Sequence, residues 1–128
     1  MIISTRGRYA LRVMLDLAEN GNGEYIAMKK IAERQGISLK YLEQIAGLLA
    51  KAGFLQSGRG AQGGYRLTKA PAEYSVGSIL RLTEGDLSPV SCDASCARSC
   101  PSRPMWTRLG RMIDDFFEGI TIGDLLKD

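Results

Sequence analysis

The sequence predicts a mainly α fold with a small β-hairpin: a winged helix-turn-helix domain followed by a long C-terminal dimerisation helix. Three observations predict it. Apolar residues recur at helical spacing in stretches that open on serine or threonine and close on glycine. Two short β-type stretches flank one glycine-rich loop. The charge is divided along the chain: residues 1–70 carry 11 Lys and Arg against 5 Asp and Glu, a net of +6, whereas residues 71–128 carry a net of −3. A basic half suits a polyanionic partner, and the other half must do something else.

The elements follow in order. Ser4 or Thr5 caps a first helix to about Asn20, with Tyr9, Ala10, Val13, Met14, Leu17 and Ala18 on one stripe. Gly21-Asn22-Gly23 ends it. Ala27 to Gln35 is a short second helix with Ile31 and Ala32 facing in, and Gly36 makes a tight turn. Ser38 caps a third helix through Ala52, with Leu42, Ile45 and Leu49 inside. Leu55 to Ser57 and Tyr65 to Leu67 are strands joined by Gly58 to Gly64. Tyr74 to Thr83 is another short helix. Pro89, Pro101 and Pro104 make residues 84–104 a loop, and all three cysteines lie in it. Met105 to Phe117 is helical again, and Ile120 to Leu126 is a last apolar segment.

Composition excludes several function classes. The chain is 128 residues long, 45% hydrophobic and 24% charged, which are globular values for one domain with an extension. No apolar run approaches the ~18 residues of a membrane span. Without a signal-peptide pattern, a cytoplasmic protein with reduced thiols is expected. There is no histidine. Catalytic triads built on histidine and histidine-ligated metals are therefore excluded, and no enzyme activity is expected.

Ile31 to Ser38 has the layout of a helix-turn-helix. Ala32 is small enough for two helices to cross closely, Gly36 relieves the turn, and Ser38 starts the second helix. That helix presents Lys40, Tyr41, Gln44, Gly47 and Lys51 on one side. Gln44 can read a base edge, while Lys40 and Tyr41 can bind phosphate. The alternative is a plain helical hairpin with a solvated polar face. The hairpin that follows favours the winged helix, with Arg59 and Gly60 at the tip and Arg59 placed to enter a minor groove. Gly58-Arg59-Gly60-Ala61-Gln62-Gly63 also matches G-x-G-x-x-G. The dinucleotide fingerprint needs a helix after it, and here a strand and Pro71 follow.

Cys92, Cys96 and Cys100 are spaced C-x3-C-x3-C. Three thiols in one loop suit a soft metal or an iron–sulfur cluster. Structural zinc usually takes four Cys or His ligands. A regulatory disulfide would leave one thiol over, and three unliganded loop cysteines are the plain alternative. In the helix that follows, Trp106, Leu109, Ile113 and Phe116 form a stripe too large for a lone helix to leave wet. It is expected to pack against a twofold mate; the alternative is that it folds back on its own domain.

Together these residues resemble the Rrf-two family of winged-helix regulators, of the IscR type. The likeness runs over essentially the whole chain: Ser4-Thr5-Arg6-Gly7-Arg8-Tyr9-Ala10, Ser38-x-x-Tyr41-Leu42-Glu43-Gln44, Arg59-Gly60-x-x-Gly63-Gly64-Tyr65, the cysteines, Trp106 and Ile120-Thr121-Ile122-Gly123-Asp124-Leu125. The resemblance implies a homodimer on a palindromic double-stranded DNA operator, with cysteines that hold an iron–sulfur cluster, 2Fe–2S or 4Fe–4S. Two departures matter: the cysteine spacing is shorter than in the family's more familiar loops, and the fourth cluster ligand is missing. Where IscR-like proteins place a histidine three residues after the last cysteine, this chain has Arg103. Where nitric-oxide-sensing members use an aspartate of the first helix, it has Arg8. Asp93 and Glu84 are the nearby oxygen candidates.

The expected organisation is a DNA-binding domain over residues 1–83, a cluster loop over 84–104, and a dimerisation helix with C-terminal segment over 105–128. Two other readings stay open. One is a cluster-free winged-helix regulator that senses by thiol oxidation or a small effector. The other is a small iron–sulfur redox protein, which would have no use for a helix-turn-helix and an arginine-tipped wing.

Overall fold

The computed structural model describes residues 2–60, 63–90 and 100–127. Ala61, Gln62, Cys92, Asp93 and Cys96 lie outside the described residues. The chain is mostly helical, with one two-stranded antiparallel hairpin: α1 (Thr5–Asn20), α2 (Met28–Gln35), α3 (Leu39–Lys51), β1 (Leu55–Ser57), β2 (Tyr65–Leu67), α4 (Val76–Glu84), α5 (Arg103–Glu118) and α6 (Ile122–Leu126). A 3-10 turn at Pro71–Glu73 precedes α4.

Local chemistry sets these limits. The side chains of Ser4, Ser38 and Ser75 each accept a hydrogen bond from the backbone N–H three residues on, at the starts of α1, α3 and α4. Gly36 ends α2 at φ +66°, a left-handed conformation that turns the chain sharply into α3. β1 and β2 pair Leu55 with Leu67, Gln56 with Arg66 and Ser57 with Tyr65. A single residue before α2, Ile26, bridges to Tyr65 and gives the hairpin a third pairing edge.

The main core lies between α1, α2, α3 and the base of the hairpin. Val13, Met14, Ile31, Leu42, Ile45 and Leu49 are buried there. Tyr74 closes it from below. Its hydroxyl accepts the N–H groups of Thr68 and Lys69, each at 2.9 Å, and donates to the Phe54 carbonyl at 2.9 Å. One side chain therefore ties both ends of the hairpin to the segment entering α4.

A second cluster joins α4 to α5, with Val76, Leu80 and Leu87 buried beneath Ile113, Phe117 and Ile120. Arg81 pairs with Glu118 across the same contact. The chain then returns: Val76 N–H donates to the Ile120 carbonyl at 2.8 Å, and Ile122 is fully buried in the main core. Residues 120–126 thus pack back on the N-terminal half of the chain, with α6 against α1, despite following α5. Among the described residues, no helix is long and apolar enough to cross a membrane.

Candidate nucleic-acid interface and sensor region

The helix-turn-helix is held from behind. Leu42, Ile45 and Leu49 of α3 point into the core, which leaves Lys40, Glu43, Gln44, Gly47 and Lys51 exposed. Ser38 is exposed at the helix start, and its hydroxyl oxygen accepts the Tyr41 N–H at 3.4 Å. Tyr41 is half-buried. Its ring meets Tyr9 of α1 edge-on with centroids 5.6 Å apart, and the Arg12 guanidinium stands 5.7 Å from the Tyr9 ring. The structure brings Ser38, Lys40, Tyr41 and Gln44 together on the N-terminal half of α3.

Arg59 and Gly60 sit apart from these, in the exposed loop between β1 and β2. Gly60 has φ +82°. Gly58 N–H donates to the Gly64 carbonyl at 2.8 Å, closing the base of the loop. Gly64 has φ +147°, and a Cβ there would collide with the Ile26 carbonyl. This glycine lets the hairpin lie against the Ile26 bridge. A strand and not a helix follows Gly63, so the dinucleotide reading fails on context.

Two arginines, one on α1 and one on β2, were not singled out as interface candidates by the sequence. Arg6 of α1 shares a cavity of about 400 Å³ with Tyr41, Gln44, Ile45 and Leu48. Arg66 of β2 stacks over Tyr25 at 4.5 Å and donates to the Gln56 side chain at 3.0 Å. Neither arginine has an ion-pair partner among the described residues. No periodic signal places Arg6 beside Gln44, because two separate helices, α1 and α3, bring them together.

Of the three cysteines, Cys100 alone lies among the described residues. Its sulfur lies 3.2 Å from the Ser102 hydroxyl. Hydrogen bonds from Ser102, and then the Arg103 backbone and charge, lower the thiol's pKa from its ordinary value. This favours the thiolate, the form that binds iron. The donor chemistry at Cys100 thus fits a thiolate-held cluster, while Cys92 and Cys96 lie outside the described residues. Arg103 lies beside Cys100 on a cleft wall and supplies no ligand atom. Glu84 commits Oε1 to the start of α1, accepting both the N–H and the hydroxyl of Ser4. Arg8 is exposed and donates to Thr5.

The four stripe residues of α5 divide. Ile113 packs on α4, together with Phe117. Trp106 is half-buried. Leu109 and Phe116 face out, and Met105 and Met112 join them on a stripe where Phe116 is 62% exposed and Met112 60%.

A family model described as "Rrf2: Iron-dependent Transcriptional regulator" matches residues 3–128. The chain belongs to the Rrf2 family. It is 37% identical to Protein rrf2 of Nitratidesulfovibrio vulgaris, over all of this chain and 89% of that one. It is 36% identical to the HTH-type transcriptional regulator IscR of Vibrio campbellii, over all of this chain and 79% of that one. Among solved structures it is similar to CymR, the global cysteine regulator of B. subtilis, with a TM-score of 0.86 at 35% identity, covering 98% of this chain and 95% of that one. IscR of T. potens matches with a TM-score of 0.81 at 39% identity, covering 100% of this chain and 88% of that one. This Rrf2 chain is thus a transcriptional regulator with the family's winged-helix fold, and DNA is its partner class.

Proposed function

We propose that this Rrf2 regulator works as a homodimer on a palindromic operator, and that Cys92, Cys96 and Cys100 hold an iron–sulfur cluster whose presence changes operator affinity. Residues 1–83 bind DNA, residues 84–104 sense, and the exposed stripe of α5 within 105–128 meets the twofold mate. Ser38, Lys40, Tyr41 and Gln44 engage the major groove, and Arg59 with Gly60 the minor groove. When bound, the cluster supplies a redox-labile, oxygen-sensitive centre.

The observation that carries the regulatory reading is the Ser4–Glu84 contact. Glu84 is the last residue of α4 and leads into the cysteine segment. Its carboxylate holds the start of α1, where Arg6 and Tyr9 lie against the recognition helix. A rearrangement of the segment beyond Glu84 therefore has a short path to the DNA face.

A second reading, sensing by thiol oxidation without a cluster, is favoured by the lowered thiol pKa at Cys100 and by the absence of a histidine. It also fits the similarity to an oxidized form of S. aureus CymR, at 38% identity and a TM-score of 0.80. One experiment separates the two. Anaerobically purified protein should be brown and contain iron and sulfide, and each of Cys92→Ala, Cys96→Ala and Cys100→Ala should lose them. Operator affinity should differ between cluster and apo forms. Colourless, iron-free protein together with normal regulation by the triple-alanine variant would overturn the cluster reading.

A further inference from the structure

We propose that the cleft between Cys100 and the N-terminal half of α5 binds a compact multivalent anion bearing carboxylate or phosphate groups. The cleft encloses about 680 Å³ and is lined by Cys100, Arg103, Pro104, Thr107, Arg108 and Arg111. That volume lies in the range of small-molecule sites.

Its charge is one-sided: among the described residues that line it, three are arginines and none is a carboxylate. Among the described residues, Arg34 and Arg81 form ion pairs, whereas Arg103, Arg108 and Arg111 form none. Like charges within two helical turns repel. A multivalent anion converts that repulsion into charge-assisted hydrogen bonds, because each planar guanidinium can grip two oxygens at once.

Position on the helix narrows the ligand further. Arg103, Thr107 and Arg111 follow one another at four-residue steps and mark one face of α5. Met105, Leu109, Met112 and Phe116 mark another, and Ile113 with Phe117 packs a third on α4. An anion in the cleft and a partner on the apolar stripe thus use different faces. An extended polyanion lying along α5 would meet Asp114, Asp115 and Glu118 just beyond Arg111. A compact anion avoids them.

The test uses the full-length, reduced, metal-free chain. Sodium citrate and sodium pyrophosphate are titrated separately at ionic strength held constant with sodium chloride. Calorimetry is read beside the fluorescence of Trp106, the single tryptophan, which lies on α5 between Arg103 and Arg111. Saturable binding of at least one probe, one per chain, is expected. The Arg103→Ala/Arg111→Ala variant should bind at least about tenfold more weakly. Arg103→Lys should fall between, since it keeps the charge and loses the fork. Lys127→Ala, which removes a charge elsewhere, should bind as the parent does. A response no larger than that to chloride, or equal affinity in the double variant and in Arg103→Lys, would overturn the site. Preference for citrate or for pyrophosphate assigns the carboxylate or phosphate class. Cluster content is not read in these arms, so this site and the cluster stand or fall separately.

Discussion

Asp16 of α1 and Arg34 near the end of α2 form a two-pronged ion pair. Arg34 Nη2 lies 2.6 Å from Oδ1 and Nε lies 3.1 Å from Oδ2. The Asp16 side chain is 1% exposed and that of Arg34 39%. Gln35 adds a third donor at 3.0 Å and is itself held by Arg12. The carboxylate therefore fastens α1 to the last turn of α2, just before the turn that aims α3.

Asp16→Ala should remove this fastening and leave Arg34 and Gln35 without their acceptor. Breaking a fully buried pair costs about 3–5 kcal/mol. Because Arg34 is partly solvated, about 2 kcal/mol is expected here. Urea unfolding of the purified variant measures it; a loss within error of zero would show that solvent replaces the pair.

The same carboxylate predicts a pH dependence. Burial pushes its pKa up, but hydrogen bonds from Arg34 and Gln35 and the Arg34 charge outweigh this, so the net shift is downward. A carboxylate whose pKa is lowered on folding stabilises the fold above the ordinary carboxylate range, near pH 4, and loses that contribution as pH falls through its folded value. Parent stability should fall more steeply below about pH 4 than that of Asp16→Asn, which cannot titrate there. Parallel acid limbs would contradict this assignment.

Tyr74→Phe deletes one hydroxyl and takes the acceptor from the N–H groups of Thr68 and Lys69, while the Phe54 carbonyl keeps the longer bond from the Thr68 hydroxyl at 3.4 Å. Thr68 and Lys69 are exposed, so water can take up part of the loss, and about 0.5–1.5 kcal/mol is expected, the net worth of an ordinary hydrogen bond. The hairpin should loosen first, so faster amide exchange is expected in β1 and β2 than in α1. Uniform change across the chain would show that the tyrosine does not hold the hairpin in particular.

At the DNA face, Arg59→Ala should weaken operator binding by about 1–3 kcal/mol. Arg6→Ala should also weaken it, with little change in base preference, as befits a phosphate contact. Gln44→Ala should relax base preference more than it lowers non-specific affinity. Affinity should drop steeply with salt as counterions are displaced. Competition binding against mutated operators reads all of these, and unchanged operator affinity in Arg59→Ala would remove the wing from the interface.

For assembly, Met112→Glu on the outward stripe should give a monomer by analytical ultracentrifugation while retaining helix content, because it touches none of the packing on α4. Removing all of α5 is a poorer test, since Val76, Leu80 and Leu87 would lose their cover. A dimer that survives Met112→Glu and Phe116→Glu would place the contact elsewhere.

The division of α5 shows where sequence reading stops. Trp106, Leu109, Ile113 and Phe116 form one stripe on paper, but the helix is apolar over an arc wider than one contact face. One edge of that arc packs on α4 and the other stays out. Periodicity marks which residues are apolar, whereas the choice of edge depends on where α4 already lies. Arg6 is a similar case: nothing within α1 distinguishes it from Arg8, yet the packing of α1 on α3 brings it beside Gln44.

What the sequence by itself determined were the features that local chemistry settles. Serines at helix starts, the left-handed Gly36 and alternating residues around a glycine loop place helices α1 to α3 and both strands to within a residue or two, because caps and turns act over one to four residues. Only the tertiary structure decided that Glu84 holds Ser4, that Asp16 pairs with Arg34, and that Ile122 returns to the first core. These partners are far apart along the chain, and which ones meet depends on how whole helices pack, a choice that no single stretch of sequence encodes.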